Sequence, residues 1–302
     1  MSDLSVTIAG VRLPNPVMPA SGTYDYSERH DNFFSPAELG AVVNKTIFLN
    51  HKPGNKPPRV YEAPCGMLNA IGIPTAGVKD FIENTLPLMR GYGVPVIVSI
   101  AGNTSEEFCK LAEIITETGK ADMLELNLSC PNLNEGVEWA RDKKLLYDIV
   151  KLISESTTLP VIAKLSPMVT DIAEMGLIAE EAGASALAVF NTYRGMVIDI
   201  NTMKPVLGNI AGGLSGPAIH PLAVYSVYST YKRVSIPIIG MGGIASWKDA
   251  VEFILAGATA VAVGMYNFVN PMIMIEVIEG MSRYLHEKGI SNIRDIVGKA
   301  HR

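Results

Sequence analysis

The sequence predicts an α/β fold closed as a (β/α)8 TIM barrel, with a short N-terminal hairpin and insertions at strand ends. Short runs rich in valine, isoleucine and alanine alternate with helix-period segments from about residue 17 to 285. Eight such runs occur, and they read as continuously apolar, the mark of parallel strands buried on both faces. Lysines, asparagines and glycines gather just after them, where a barrel of this kind carries its active site.

In chain order, Val6 to Leu13 with Gly10 near its centre predicts a hairpin ahead of the barrel. The strand runs are Val17 to Ala20, Ala41 to Lys45, Val94 to Ile100 and Asp122 to Leu128. Pro160 to Leu165, Ser185 to Phe190, Ile236 to Ile239 and Ala258 to Val263 follow. Helical segments lie between them: Gly77 to Arg90, Ser105 to Thr118, Asp142 to Ser156, Asp171 to Ala182, Pro221 to Tyr231 and Ser246 to Ala256. Thr104 or Ser105 ahead of Glu106 and Glu107, and Ser246 ahead of Asp249, have the chemistry of N-caps. An open doubly wound sheet is the competing architecture, but no Gly-x-Gly-x-x-Gly follows the first strand. No linker, low-complexity tract or solenoid-length repeat divides the chain, so residues 1–302 are read as one domain.

Composition bounds the function. A chain of 302 residues with 48% hydrophobic and 18% charged residues can bury a large core. A net charge of -5 and the lack of a basic run argue against a nucleic-acid partner. Cys65, Cys109 and Cys130 are odd in number and lack CxxC spacing, so they form neither a disulfide framework nor a zinc or iron–sulfur ligand set. None of the five histidines shows metal-ligand spacing, and no metal is assigned. Without a signal peptide or a membrane-spanning run, the chain reads as soluble, reduced and cytoplasmic, with no membrane partner. Tyr225, Tyr228 and Tyr231 fall at helical spacing and fit a packed or interface face better than a cofactor site.

Strand ends carry the chemistry. Ser21 and Gly22 follow the first run, Lys45 and Thr46 close the second, and Asn103 follows the third. Asn127, Lys164 and the pair Asn191 and Thr192 mark the next three. Lysines at inner strand ends are costly to bury without a polar or anionic partner, so Lys45 and Lys164 point to a polar, electron-rich ligand. Glycines cluster at Gly212–Gly216, at Gly240–Gly243 and at Gly264, matching the backbone phosphate site of such barrels. Residues 127–132, Asn-Leu-Ser-Cys-Pro-Asn, put Cys130 at a strand-end turn forced by Pro131, with Asn127 and Asn132 on either side. Such a thiol suits proton transfer; the hexapeptide alone fits a packed free cysteine equally well.

Taken together, these motifs resemble the class 1 dihydroorotate dehydrogenases. The likeness rests on Pro-Ala-Ser-Gly-Thr (19–23), Asn-Lys-Thr (44–46), Pro-Gly-Asn-Lys-Pro-Pro-Arg (53–59) and Gly-Met-Leu-Asn-Ala-Ile-Gly (66–72). It continues through residues 127–132, Lys-Leu-Ser-Pro (164–167), Gly-Gly-Leu-Ser-Gly-Pro-Ala-Ile (212–219) and Ile-Gly-Met-Gly-Gly-Ile (239–244). These collinear motifs span nearly the whole chain, and the class 1B catalytic subunit is the nearest pattern.

The resemblance implies an FMN-dependent barrel that oxidises (S)-dihydroorotate to orotate in pyrimidine biosynthesis. It implies that Gly216, Gly242, Gly243, Gly264 and Met265 hold the flavin phosphate through backbone groups. Ser21, Lys45, Thr46, Asn103, Asn127, Lys164 and Phe190 are then expected around the ring and ribityl chain. Orotate is expected on Lys45, Asn69, Ala70, Ile71, Gly72, Ile73, Asn127, Asn132, Asn191 and Thr192. By the same resemblance Cys130 is the base that removes the C5 proton, while hydride leaves C6 for flavin N5. A thiol titrating near 8.5 needs only modest lowering for that task. Lys164 would stabilise negative charge at the N1/O2 edge of the flavin. A homodimer is implied, together with a partner subunit carrying FAD and a [2Fe–2S] cluster that passes electrons to NAD.

The chain departs from the family pattern in places. Residues after Asn132 read Leu133-Asn134-Glu135-Gly136-Val137-Glu138-Trp139 where a pair of glycines and Phe-Gly are usual, and Tyr24-Asp25-Tyr26 replaces a Phe-Gly-Phe-Gly type run. Met168, Met265 and Cys65 stand where asparagine, threonine and serine are common. Three other readings stay open at this level. One is a flavoenzyme acting on an uncharged dihydropyrimidine, against which the Asn69–Gly72 motif argues. Another is a fumarate-linked, class 1A-like dihydroorotate dehydrogenase. The third is a barrel that binds ligand without catalysis, against which Lys45, Lys164 and Cys130 argue.

Overall fold

Eight apolar runs do pair in parallel. The computed structural model describes residues 2–26, 33–129 and 138–301. Its barrel strands are β1 (Val17–Pro19), β2 (Val42–Val43), β3 (Val96–Ile100) and β4 (Met123–Asn127). They continue as β5 (Val161–Lys164), β6 (Ala186–Val189), β7 (Ile238–Met241) and β8 (Ala260–Val263). The ladders run β1–β8–β7–β6–β5–β4–β3–β2, and every neighbour is parallel. Every residue of these strands is buried, which is why the runs carry no polar alternation.

The seam between β1 and β2 is closed by other means. Among the described residues no ladder joins the two strands. Instead the Gly40 N–H donates to the Val17 carbonyl at 2.8 Å. The Tyr26 hydroxyl accepts from the Val43 N–H at 2.6 Å and donates to the Val43 carbonyl at 2.9 Å. Burial pushes this phenol well above its ordinary pKa, so its proton stays available for the second bond. Farther up, the Ser21 hydroxyl donates to the Asn44 carbonyl at 2.8 Å and accepts from the Thr46 N–H at 3.1 Å. One phenol and one hydroxyl thus satisfy edge groups that a β-ladder would otherwise take.

Helices fill the outside. Those over Ser105–Glu117, Lys143–Ser156 and Ile172–Glu181 begin at side-chain caps from Thr104, Asp142 and Asp171. Residues 78–91 are helical with a π-turn over Phe81–Thr85. His220–Tyr231 and Trp247–Ala256 follow. Ser246 occupies the expected N-cap position, but its hydroxyl donates to Asp249 Oδ2 at 3.0 Å rather than capping the helix. The same carboxylate also accepts from the Ala245 N–H, and as a carboxylate it is a stronger acceptor than the hydroxyl. A last helix, Ile273–Glu287, follows Pro271 and was not singled out by the sequence pattern. The N-terminal hairpin pairs Val6–Ile8 with Val11–Leu13 across Ala9 and Gly10, both at positive φ as a tight hairpin turn requires.

Two insertions build a lid sheet over the carboxyl ends. Val60–Ala63 and Gly66–Asn69 come from the insertion after β2, Tyr193–Gly195 and Gly212–Ser215 from that after β6. They form one antiparallel sheet in which Gly66–Asn69 pairs with Gly212–Ser215. A side chain at Gly212 would meet the Asn69 carbonyl at 2.5 Å, and one at Gly213 would meet Thr192 Oγ1 at 2.1 Å. Gly212 serves close packing between the insertions and Gly213 close packing within the second, whereas Gly216 of the same cluster reaches the cavity below.

Candidate active site

The strand ends and the lid sheet enclose a cavity of about 640 Å³, a size suited to a cofactor with a small substrate. Barrel ends contribute Ser21, Lys45, Thr46, Asn127, Lys164, Phe190, Asn191, Gly242, Gly243, Gly264 and Met265. The insertions contribute Asn69, Ile71, Gly72, Ile73, Thr192 and Gly216. Two expected residues do not line it. Asn103 turns its backbone N–H and its side-chain amide to Glu107 Oε2, at 2.8 and 3.1 Å. Ala70 packs with Leu68 and Leu207 in a small apolar cluster, and its N–H donates to the Arg59 carbonyl. Cys130 and Asn132 lie outside the described residues, as does 133–137.

A chain of hydrogen bonds underlies the cavity. Glu125 projects from β4 two residues before Asn127, so both side chains leave the same face of the strand. Glu125 Oε1 accepts from the Ser99 hydroxyl at 2.8 Å and from the Lys164 ammonium at 3.4 Å. The Ser99 proton is then committed, so at 2.9 Å the Thr46 hydroxyl is the donor to Ser99. Thr46 Oγ1 in turn accepts from Asn127 Nδ2 at 3.0 Å. That leaves Asn127 Oδ1 facing Asn191 Nδ2 at 3.5 Å, while Asn191 Nδ2 also donates to Ser129 Oγ at 2.8 Å. An acceptor-only carboxylate at the bottom thereby sets the direction of each bond up to the substrate-facing amides. Asn44 braces the same floor: its Oδ1 accepts from the Ser99 N–H and its Nδ2 donates to the Ser99 carbonyl.

The two lysines sit differently. Lys164 is 5% exposed and paired with Glu125. Lys45 has no counter-charge or hydrogen bond to its ammonium among the described residues, and burial pulls its pKa below the ordinary 10.5. A cationic group held in this way favours an incoming anion or electron-rich ring.

The glycine ends supply shape. A Cβ on Gly243 (φ +70) would meet His220 Cβ at 2.7 Å and the Gly216 carbonyl at 2.8 Å. A Cβ on Gly264 would meet only Ala20, at 4.0 Å, and would project into open space. The His220 ring braces the Gly242 turn, with Nδ1 3.2 Å from the Gly242 carbonyl and Nε2 3.0 Å from Glu252. An open glycine-walled end, hydroxyl and amide groups along the floor, and cationic side chains at the strand ends fit a phosphate-bearing polar cofactor.

Sequence reasoning missed Ser99, Glu125, Asn44 and Ser129. Glu125 had a signal: it is the sole charged residue inside the apolar run Met123–Leu128, where an unpaired carboxylate would be expensive. Glu138, at the start of the described chain after 137, accepts from the Ser166 hydroxyl at 3.5 Å. Burial pushes its carboxyl above the ordinary range, opposed by Arg141 and Arg194.

Residues 3–285 match the family model described as dihydroorotate dehydrogenase. The chain is 44% identical over 297 residues to the "Dihydroorotate dehydrogenase B (NAD(+)), catalytic subunit" of Caldicellulosiruptor saccharolyticus, covering 98% of each chain. It is 47% identical over 300 residues to the protein of the same name from Desulforamulus reducens, covering 99% of each. The Geotalea uraniireducens protein of that name is 45% identical over 297 residues, 98% of this chain and 97% of its own.

Proposed function

The chain belongs to the dihydroorotate dehydrogenase family, and on that premise we propose that it oxidises (S)-dihydroorotate to orotate on bound FMN in pyrimidine biosynthesis. The observation that carries the reading is the convergence of Lys45, Asn69, Asn127, Lys164, Asn191 and the glycine ends on one cavity. Bound there, FMN would supply the two-electron oxidising chemistry that the substrate's loss of hydride requires. The chain's own residues do the rest.

We assign the phosphate to backbone groups of Gly216, Gly242, Gly243, Gly264 and Met265. Met265 offers no hydroxyl, so its contribution is the backbone N–H alone. Ser21, Lys45, Thr46, Asn127, Lys164 and Phe190 hold the ring and ribityl chain; Asn103 belongs to this group by resemblance alone. Lys164 would hold a positive charge beside the flavin edge, where it would favour electron uptake. Asn69, Ile71, Gly72 and Ile73, with Lys45, Asn127, Asn132, Asn191 and Thr192, hold the substrate by its carboxylate and ring amides, for which asparagine can both donate and accept, while Ala70 belongs to this group by resemblance alone. Cys130 removes the C5 proton as thiolate.

The relatives are named as NAD(+)-linked catalytic subunits, which implies a separate partner subunit in them. For this chain we propose a cytoplasmic homodimer that passes electrons through a partner carrying FAD and a [2Fe–2S] cluster to NAD. No helix among the described residues is long and apolar enough to cross a membrane.

Reconstitution tests the reading. Purified protein supplied with FMN is expected to retain it through gel filtration with flavin absorbance. With its co-purified partner it should then reduce NAD when given dihydroorotate. Protein that stays colourless overturns the flavin assignment; fumarate reduction without NAD reduction overturns the partner route.

A further inference from the structure

Beneath the cavity, Glu125 is a carboxylate that the proposed chemistry does not use, and it is 4% exposed. Its carboxylate is not on the cavity wall, whereas Lys164 is. Removing two charges from water is expensive, and the pair returns that cost only when geometry and extra hydrogen bonds fix it. The Ser99 hydroxyl provides such a bond at 2.8 Å, and Ser99 is itself clamped on both backbone groups by Asn44. The barrel has therefore built a rigid anionic post at 3.4 Å from a lysine that faces the ligand space.

We propose that Glu125 is a positioning residue, which together with Ser99 fixes the Lys164 ammonium at the cavity floor and through it sets the affinity for flavin. The inference rests on the assignment of Lys164 to the flavin. Lys45 offers the contrast within the same cavity: among the described residues it has no such post, which suits a group that also meets a charged substrate. Replacing the carboxylate by an amide leaves the Lys164 ammonium buried with no counter-charge and at best a neutral acceptor, while the side-chain shape stays nearly the same.

A double-mutant cycle on FMN affinity tests this, read by quenching of flavin fluorescence as apoprotein is titrated in. Glu125→Gln and Lys164→Met are each expected to weaken FMN by about tenfold or more, and the double variant to be no weaker than Lys164→Met within about twofold. Ser99→Ala, which loosens the post without removing charge, should give a smaller loss that also vanishes in the Lys164→Met background. It serves as the second probe if Glu125→Gln folds poorly. A Glu125→Gln loss of equal size with and without Lys164 overturns the inference, since it would report general damage to the barrel floor. Full FMN affinity in Glu125→Gln also overturns it. Unchanged affinity in Lys164→Met alone brings down the flavin assignment, and the inference with it.

Discussion

Lys45 and Lys164 share one cavity, but only Lys164 has a buried counter-charge among the described residues. Burial depresses the Lys45 pKa because the ammonium is less solvated in the folded chain than in the unfolded one. Below its folded pKa the charged group penalises folding in full, and above the ordinary 10.5 neither state carries the charge. Lys45→Met should therefore raise the apoprotein's unfolding midpoint at neutral pH, with the gain shrinking as pH climbs toward 10.5. The same variant should lose orotate binding. A midpoint that falls at neutral pH would show that the ammonium stabilises the fold. At the proposed base, Cys130→Ala is expected to keep FMN yet lose most dihydroorotate oxidation near neutral pH, about 100-fold or more for a missing general base. Normal turnover in that variant removes the thiol from the role.

Turns and seams decide how the site is held. The β1–β2 seam hangs on a phenol, since both backbone groups of Val43 bond to Tyr26. Tyr26→Phe leaves a buried N–H and a buried carbonyl without that partner, which should cost about 1–3 kcal/mol in denaturant unfolding. No change in the midpoint would show that the seam closes through other bonds. Two glycines separate shape from space: an alanine at Gly243 collides with His220 and the Gly216 carbonyl, whereas one at Gly264 enters the cavity. Gly264→Ala should therefore weaken FMN with less loss of stability than Gly243→Ala, as ligand titration and thermal melts of the two variants would show.

All eight barrel strands were legible because buried parallel strands are apolar throughout, and most helices because their amphipathic period is regular. The lid sheet was not. Its strands are short and glycine-rich, and they are stable only because two distant insertions pair with each other, as Gly213 does with Asn69. Lys45, Asn127 and Lys164 could be found at the strand ends. Asn103 could not be placed, since only the structure reveals that Glu107 captures its amide. Ser99 and Glu125 lie within strands rather than after them, so attention to strand ends passed them by.

At the scale of the molecule, the insertion after β6 leaves apolar side chains in solvent. Ile200 is 85% and Met203 83% exposed, with Ile198 and Ile210 also exposed nearby in sequence. Where such side chains form one contiguous patch, they mark an association surface. If the homodimer forms through this insertion, Ile200→Glu with Met203→Glu should shift the protein to monomer in sedimentation while FMN stays bound. A dimer that survives places the interface elsewhere.

The central claim is that this barrel oxidises dihydroorotate on FMN, and it can be tested without any electron acceptor or partner. FMN-loaded protein is mixed anaerobically with dihydroorotate, and flavin absorbance is followed in a single turnover. The account predicts rapid bleaching of the flavin band with formation of orotate, and none with dihydrouracil. A flavin that stays oxidised with dihydroorotate, or bleaches only with dihydrouracil, would contradict it.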